Sequence, residues 1–157
     1  MAEGNYFFTG GPKKPESKYN TPQALDDAIK NTPGYVLVKF GGDNCGPCIG
    51  LDNRMKGVVD GITYITMNID KSSKNMKIFE NSKMVDLDKM KKDGKIIQTP
   101  NGYGVPVWIL FYNGERVMDS KSSQNQLAAY LKEKGIILKP PGNAKNIDVT
   151  GGPKLTN

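Results

Sequence analysis

Two cysteines and no histidine limit the chemistry open to this chain of 157 residues. Without histidine, the sequence excludes Ser-His-Asp catalysis, Cys-His catalysis and His-ligated metal sites. Two cysteines cannot fill a zinc site of four Cys or His ligands unless two chains combine theirs, so we expect no metal and no other cofactor. The cysteines stand in Cys45-Gly46-Pro47-Cys48, a spacing at which both sulfurs meet at the first turn of a helix. This spacing favours dithiol–disulfide exchange.

The position of the motif predicts different roles for the two cysteines. It follows an apolar, β-rich run at residues 35–40, which predicts a buried strand, and it precedes a predicted helix. Cys45 would then lie at the helix N-terminus with its side chain exposed, where the helix dipole favours a thiolate. Pro47 fits the first turn, and Cys48 lies one turn in and is more shielded. We therefore expect Cys45 to attack a substrate disulfide and Cys48 to resolve the mixed disulfide.

The elements that must position the motif alternate between helix and strand. The pattern predicts, in order, a helix from Pro22 to about Asn31, the strand at 35–40, a helix from the motif through Val58-Val59 to a stop at Gly61, a strand at 62–70, a Lys-rich helical insert at about 71–100, a loop at 101–104, a hairpin at 105–119 and a helix capped by Ser123 and ended by Gly135. The initial alternation implies parallel strands, and the turn signal Asn113-Gly114 adds antiparallel ones. We predict an α/β sandwich with a mixed sheet.

Two motifs in register make the chain resemble thioredoxin. One is Cys-Gly-Pro-Cys after a strand, and the other is Gly104-Val105-Pro106 before a long apolar strand. The resemblance covers residues 21–70 and 101–137. It implies the thioredoxin-like three-layer sandwich, a mixed sheet flanked by helices, with the Lys-rich insert placed before the cis-proline strand.

The resemblance also implies a substrate site beside the cysteines. The family's second motif carries a cis-proline that lies against the disulfide, here Pro106; the alternative is an ordinary proline at the start of a strand. The backbone of Val105 would pair with an extended substrate segment. Asn44, Gly46 and Pro47 complete the expected substrate-binding residues.

Two residues depart from the family pattern. Asn44 replaces the usual Trp before the first cysteine, which removes a flat apolar face from the substrate surface. Lys39 replaces a buried Asp that in the family helps to deprotonate the resolving cysteine. If Lys39 points at the sulfurs, its charge favours the thiolate and predicts a couple more oxidising than the roughly −270 mV of thioredoxin. The alternative is that Lys39 points to solvent or snorkels.

The surplus of positive charge lies mainly in the insert. The net charge is +6, and the stretch at 71–95 holds eight lysines against four acidic residues. In the family this connection lies beside the redox site, so a basic insert would select substrates; the alternative is a surface elaboration without function.

Pro- and Gly-rich segments flank the predicted domain at 21–138. We expect an N-terminal tail at 1–20, in which Tyr6-Phe7-Phe8 would add an edge strand or fill a groove, and a C-terminal tail at 139–157. Both tails carry Thr-Gly-Gly-Pro-Lys, either by chance composition or as a docking or processing signal.

These features predict an enzyme, a thiol–disulfide oxidoreductase with a redox-active centre that serves cell redox homeostasis. Its partners would be disulfide-containing protein substrates and a reductase or other thiol donor. The alternative is a non-catalytic interaction scaffold that binds a protein partner through the tails and the basic insert. Nucleic acid is disfavoured because the Lys-rich stretch has no arginine and few aromatics. With no signal peptide and no run near the ~18 apolar residues of a membrane span, we expect a cytoplasmic protein without a membrane partner.

Overall fold

The computed structural model describes the backbone of residues 5–9 and all atoms of residues 19–56, 58, 61–70, 72–100 and 102–140. The repeated Thr-Gly-Gly-Pro-Lys lies outside these residues except for Thr9, as does most of the predicted C-terminal tail. The boundaries of the predicted domain and its two tails stay predictions.

A five-stranded mixed sheet forms the centre of the fold. The strands of the chain are β1 (Asn5–Thr9), β2 (Tyr35–Gly41), β3 (Ile62–Asn68), β4 (Gln98–Thr99), β5 (Gly102–Tyr103), β6 (Val107–Tyr112) and β7 (Glu115–Asp119). The order in the main sheet is β1-β3-β2-β6-β7, with β2 and β3 parallel and every other neighbouring pair antiparallel. β1 is the edge strand that we considered for Tyr6-Phe7-Phe8. β4 and β5 form a separate two-stranded ribbon, partly where the sequence predicted a loop.

Helices cover both faces of this sheet. They are α1 (Pro22–Asn31), α2 (Gly46–Met55), α3 (Ser73–Asn81), α4 (Leu87–Lys92) and α5 (Gln124–Glu133). One buried apolar cluster joins α1, α3 and α4 to the sheet, and it includes Leu25, Ile29, Val36, Val38, Phe40, Ile78, Phe79 and Met90. A second cluster joins α2 and α5 to the opposite face, and it includes Leu37, Leu51, Met55, Trp108, Leu110, Leu127 and Leu131. The predicted three-layer, thioredoxin-like fold is confirmed.

Local signals set most element ends where the sequence predicts them. The Thr21 hydroxyl accepts from Ala24 N at 3.1 Å, and Ser123 and Gln126 form a reciprocal capping box. Asn113 and Gly114 both have positive φ, 50° and 83°, as a type I′ hairpin turn requires.

The second helix is shorter than predicted. It ends at Met55 and does not reach Val58, so the prediction for its last turn is wrong. Lys56 leaves the helical region with ψ of 122°, and Val58 N donates to Met55 O at 3.1 Å, which closes a turn in place of a further helical bond.

Candidate functional site

The two cysteines form a disulfide at the N-terminus of α2. Cys45 is the N-cap residue, with extended φ and ψ of −110° and 96°, and its sulfur is bonded to Cys48 Sγ at 2.03 Å. Cys48 N donates to Cys45 Sγ at 3.2 Å. Pro47 occupies the first turn, as predicted, where the missing N–H costs no hydrogen bond. After reduction, the same backbone N–H and the helix dipole would stabilise a thiolate on Cys45.

Neither cysteine side chain is exposed in this oxidised state. Cys45 is 7% exposed and Cys48 is 3% exposed, so the prediction of an exposed Cys45 is wrong here. The reason is the disulfide itself, which turns Cys45 Sγ back over the first turn of the helix. Within residues 44–48, Asn44 and Pro47 are exposed and Gly46 is half-buried.

Asn44 has the left-handed backbone conformation, with φ of 53°. Asn adopts this region far more readily than a bulky side chain does. The residue that replaces the family's Trp is therefore suited to the tight turn ahead of Cys45. It leaves a polar, exposed side chain beside the disulfide.

A carboxylate outside the motif holds this turn in place. Asp70 Oδ2 accepts from Asp43 N at 2.7 Å, and Asn68 Nδ2 donates to Asp43 Oδ1 at 3.0 Å. A Cβ on Gly42 would lie 2.2 Å from Asp70 Oδ2, so only glycine allows this approach. Sequence reasoning missed Asp70; its place directly after a strand that ends beside the motif was the available signal.

The predicted cis peptide is present between Val105 and Pro106. Both residues are half-buried, and they lead into β6. Val107 pairs with Phe40, so Pro106 lies beside the end of β2 at Gly41. A Cβ on Gly41 would be 3.2 Å from Cys48 Sγ, which places this end of the sheet against the cysteine pair.

The Lys39 side chain points under α2 and not toward solvent. It lies on the same sheet face as Leu37 because side chains alternate along a strand, and it is 4% exposed. The solvent-facing alternative is therefore wrong. Lys39 Nζ donates to Asp52 Oδ1 at 2.6 Å. The Cβ position of Gly41 is 3.2 Å from both Lys39 Cε and Cys48 Sγ, so these two atoms are separated by no more than twice that distance.

A buried tyrosine completes this polar cluster. Tyr64 OH donates to Asp52 Oδ1 at 2.5 Å. Burial, and next the Asp52 carboxylate, raise the pKa of Tyr64 well above its ordinary value, so the phenol stays protonated and keeps donating. Asp52 thus holds one ammonium and one phenol.

Sequence reasoning missed Asp52 and Tyr64. The signal for Asp52 was available, because a lysine in a buried strand needs a carboxylate. Asp52 follows Cys48 by four residues, which puts both on one face of the helix. No pattern in β3 singled out Tyr64.

A second network ties α2 to α5. Gln124 Nε2 donates to Pro47 O at 3.1 Å, and Gln124 O accepts from Arg54 Nη1 at 3.3 Å. Arg54 is 4% exposed, and its Nη2 donates to Asn125 Oδ1 at 2.5 Å. Burial lowers the pKa of Arg54. These contacts fix the turn that carries the cysteines, and sequence reasoning did not anticipate them.

Within the ranges that the structure describes, no group of three or more His, Cys, Asp or Glu side chains is placed to hold a metal ion. The described helices include none with the length and apolar character needed to cross a membrane.

Comparison with known proteins gives a result for structure only. No family model and no curated protein matches the chain. Forty-seven solved chains match it in structure. One is thioredoxin from Aeropyrum pernix, with a TM-score of 0.49 and 12% sequence identity, over 85% of this chain and 96% of that chain. The thioredoxin-like fold stated above therefore rests on the strand order, the two helical layers and the placement of the cysteine pair.

Proposed function

We propose that this chain is a thiol–disulfide oxidoreductase in which Cys45 attacks and Cys48 resolves. The observation that carries the proposal is the Cys45–Cys48 disulfide at the N-terminus of α2, with Cys48 N on Cys45 Sγ at 3.2 Å. The N–H group and the helix dipole stabilise a thiolate on Cys45 more than on Cys48. This difference supports Cys45 as the attacking residue.

The reaction is a pair of thiol exchanges. The Cys45 thiolate attacks one sulfur of a substrate disulfide, the substrate S–S bond breaks, and one substrate thiolate leaves. The Cys48 thiol then loses its proton, and its thiolate attacks Cys45 Sγ and releases the second substrate thiolate. The substrate gains two electrons and the protein keeps the Cys45–Cys48 disulfide. A thiol donor such as a reductase returns it to the dithiol.

Three features support productive binding of a polypeptide at this site. Asn44 and Pro47 are exposed beside the cysteines, and the cis Val105–Pro106 peptide borders the same end of the sheet. In this proposal, the Val105 backbone pairs with an extended substrate segment. Partners are disulfide-containing proteins in the cytoplasm, where a lone reactive cysteine pair is kept reduced between turnovers.

Lys39 tunes the cysteine pair in this proposal. Its ammonium lies under α2 near Cys48 but is paired with Asp52. The ammonium stabilises a nearby thiolate, and the carboxylate of the same ion pair opposes this effect. The reduction potential therefore depends on the balance between them and not on Lys39 alone.

Insulin reduction with dithiothreitol tests the proposal. We expect wild type to accelerate insulin B-chain precipitation, and Cys45→Ser to abolish the acceleration. Cys48→Ser should accumulate a mixed disulfide through Cys45, which mass spectrometry of the trapped substrate detects. Wild-type activity equal to that of Cys45→Ser would reject the oxidoreductase and favour the interaction scaffold.

A further inference from the structure

The insert is fixed to the domain from two sides. The Asp26 carboxylate, on a residue 3% exposed, accepts from Ser82 Oγ at 2.5 Å, Lys83 N at 3.0 Å and Met84 N at 3.1 Å. From the far edge of the sheet, Arg116 Nη2 donates to Met84 O at 3.1 Å. The middle of the insert, at residues 82–84, is therefore held in a defined position against the domain.

The last part of the insert is joined to the loop that carries the cis-proline. Gly104 N donates to Ile97 O at 2.6 Å. A Cβ on Gly104 would lie 3.2 Å from Ile97 Cβ, so the Ile97 side chain stands directly against the backbone one residue before Val105. Pro106 in turn borders Gly41 and the cysteine pair. Ile97 is thus placed at the rim of the proposed substrate site.

Ile97 is the most exposed large apolar side chain in the described part of the chain. It is 72% exposed, whereas its neighbour Ile96 is partly buried against the core. The insert thus turns one isoleucine inward and presents the next to solvent. An apolar group held at a fixed place beside a reaction centre is suited to receive an apolar side chain of a partner.

The charge around Ile97 favours an acidic partner. The stretch at 71–100 holds eight lysines against four acidic residues. Lys91 Nζ lies 5.2 Å above the Tyr103 ring, while the Tyr103 hydroxyl donates to Glu80 at 3.2 Å. Lys95 is neutralised by Asp119 at 2.7 Å. Lys91 is exposed, and its ammonium lies over the ring of Tyr103 in β5, the second strand of the ribbon that begins directly after Ile97.

We propose that Ile97 is a specificity-determining contact for the substrate, which receives an apolar side chain next to the substrate cysteine. The preferred substrate is an extended disulfide-bearing segment with acidic residues beside that apolar side chain. This inference rests on the proposed oxidoreductase function. It adds a contact from the insert to the site formed by the cysteines and Pro106.

Two disulfide-linked peptide dimers test this inference, with dithiothreitol as the reductant. One peptide carries Leu and Glu beside its cysteine, and the other carries Ser and Gln. We expect Ile97→Ser to lower kcat/KM for the Leu/Glu dimer by about 5- to 20-fold, as the loss of an apolar contact does. Reduction of the Ser/Gln dimer should change less than about twofold, since it has no apolar side chain to lose.

Ile137→Ser is the matched control, because Ile137 is also a strongly exposed isoleucine, at 62%. It should leave kcat/KM unchanged for both dimers. Equal kinetics for wild type and Ile97→Ser would overturn this inference alone. So would a lower kcat/KM of Ile97→Ser that is explained by dissociation of a homodimer of the protein, as measured by sedimentation equilibrium. A wild type that reduces neither dimer faster than Cys45→Ser would overturn the proposed function and this inference with it.

Discussion

The ammonium of Lys39 donates a hydrogen bond of 2.6 Å to the carboxylate of Asp52, on the sheet face that α2 covers. The cation comes from a sheet strand and the anion from the helix that carries both cysteines. Lys39 Cε and Cys48 Sγ are both neighbours of Gly41: each lies 3.2 Å from the position that a Cβ atom on this glycine would take. Removing either charge therefore changes the electrostatic potential at the cysteine pair, in opposite directions.

We predict opposite shifts in reduction potential for the two neutral variants. Asp52→Asn leaves the Lys39 ammonium without its carboxylate, which favours thiolates and raises the potential by about 30 mV, a tenfold change in the exchange equilibrium. Lys39→Met leaves a carboxylate near the sulfurs, which disfavours thiolates and lowers the potential by a similar amount, about 30 mV. Equilibration with glutathione buffers, followed by thiol alkylation, measures both.

The double variant Lys39→Met/Asp52→Asn is the control for this prediction. With both charges gone, its potential should return to within about 15 mV of wild type, half of the single-variant shift. After reduction, thiolate absorbance at 240 nm and neutral pH should be higher in Asp52→Asn than in Lys39→Met. Shifts of the same sign in both single variants would contradict the electrostatic explanation.

A second prediction concerns the phenol that also donates to Asp52. Tyr64→Phe removes a hydrogen bond to a carboxylate in a buried site, so we expect a loss of about 1.5–3 kcal/mol in the free energy of unfolding. Tyr103→Phe removes the same kind of bond, to Glu80, in an exposed place, and should cost under about 0.5 kcal/mol. Urea denaturation measures both. Equal losses in the two variants would show that burial of the Tyr64–Asp52 hydrogen bond does not increase its contribution to stability.

The sequence predicted the elements that rest on local chemistry. The Cys-Gly-Pro-Cys turn, the Ser123 capping box and the Asn113-Gly114 turn each depend on residues close in the chain, and each is present. The cis Val105–Pro106 peptide followed from the resemblance. The direction of the Lys39 side chain needed the structure, because the sequence left open whether it points at the sulfurs or to solvent.

Most contacts between distant segments could not be predicted from the sequence. Tyr64 lies 12 residues from Asp52 in the chain, and no pattern in β3 singled it out as a donor to that carboxylate. The hydrogen bond from Gly104 to Ile97 depends on the two-stranded ribbon of β4 and β5. The sequence of this segment has only a weak strand pattern, so the ribbon was not predicted. The prediction that Cys45 is exposed was wrong. It was based on the position of Cys45 at the helix N-terminus, whereas the disulfide to Cys48 determines how far the sulfur is buried.

A third prediction follows from the contact between the phenols of Tyr35, at the start of β2, and Tyr130, in α5. The hydrogen bond to Tyr130, and next burial, raise the pKa of Tyr35 to about 12. The folded protein therefore holds this proton more tightly than the unfolded chain, in which the pKa of a tyrosine is about 10. The resulting stability is complete below the unfolded pKa and is lost as the pH rises through the folded pKa.

Tyr130→Phe tests this pH dependence. Without the Tyr130 hydroxyl, the pKa of Tyr35 should fall toward its ordinary value, so less stability is lost between about pH 10 and 12. Urea unfolding at a series of pH values gives the slope of the free energy of unfolding against pH for wild type and for Tyr130→Phe. Tyr103→Phe serves as a control at a distant tyrosine. Parallel slopes for wild type and Tyr130→Phe would contradict the assignment.

A fourth prediction compares two buried cations: Lys39, which contacts α2, and Arg54, which belongs to α2. Lys39 has a carboxylate partner, whereas no carboxylate of the described residues pairs with Arg54, and Arg54 Nε has no hydrogen-bond partner there. Lys39→Met leaves the Asp52 carboxylate without its cationic partner, and we expect it to lower the free energy of unfolding by about 3–5 kcal/mol. Arg54→Met loses its bonds to Gln124 and Asn125 but also removes an unpaired buried charge, so we expect a cost of about 1 kcal/mol or less. Denaturant unfolding of the oxidised proteins measures both, and an Arg54→Met cost equal to that of Lys39→Met would show that the Gln124–Asn125 contacts, and not charge pairing, control the stability of this helix.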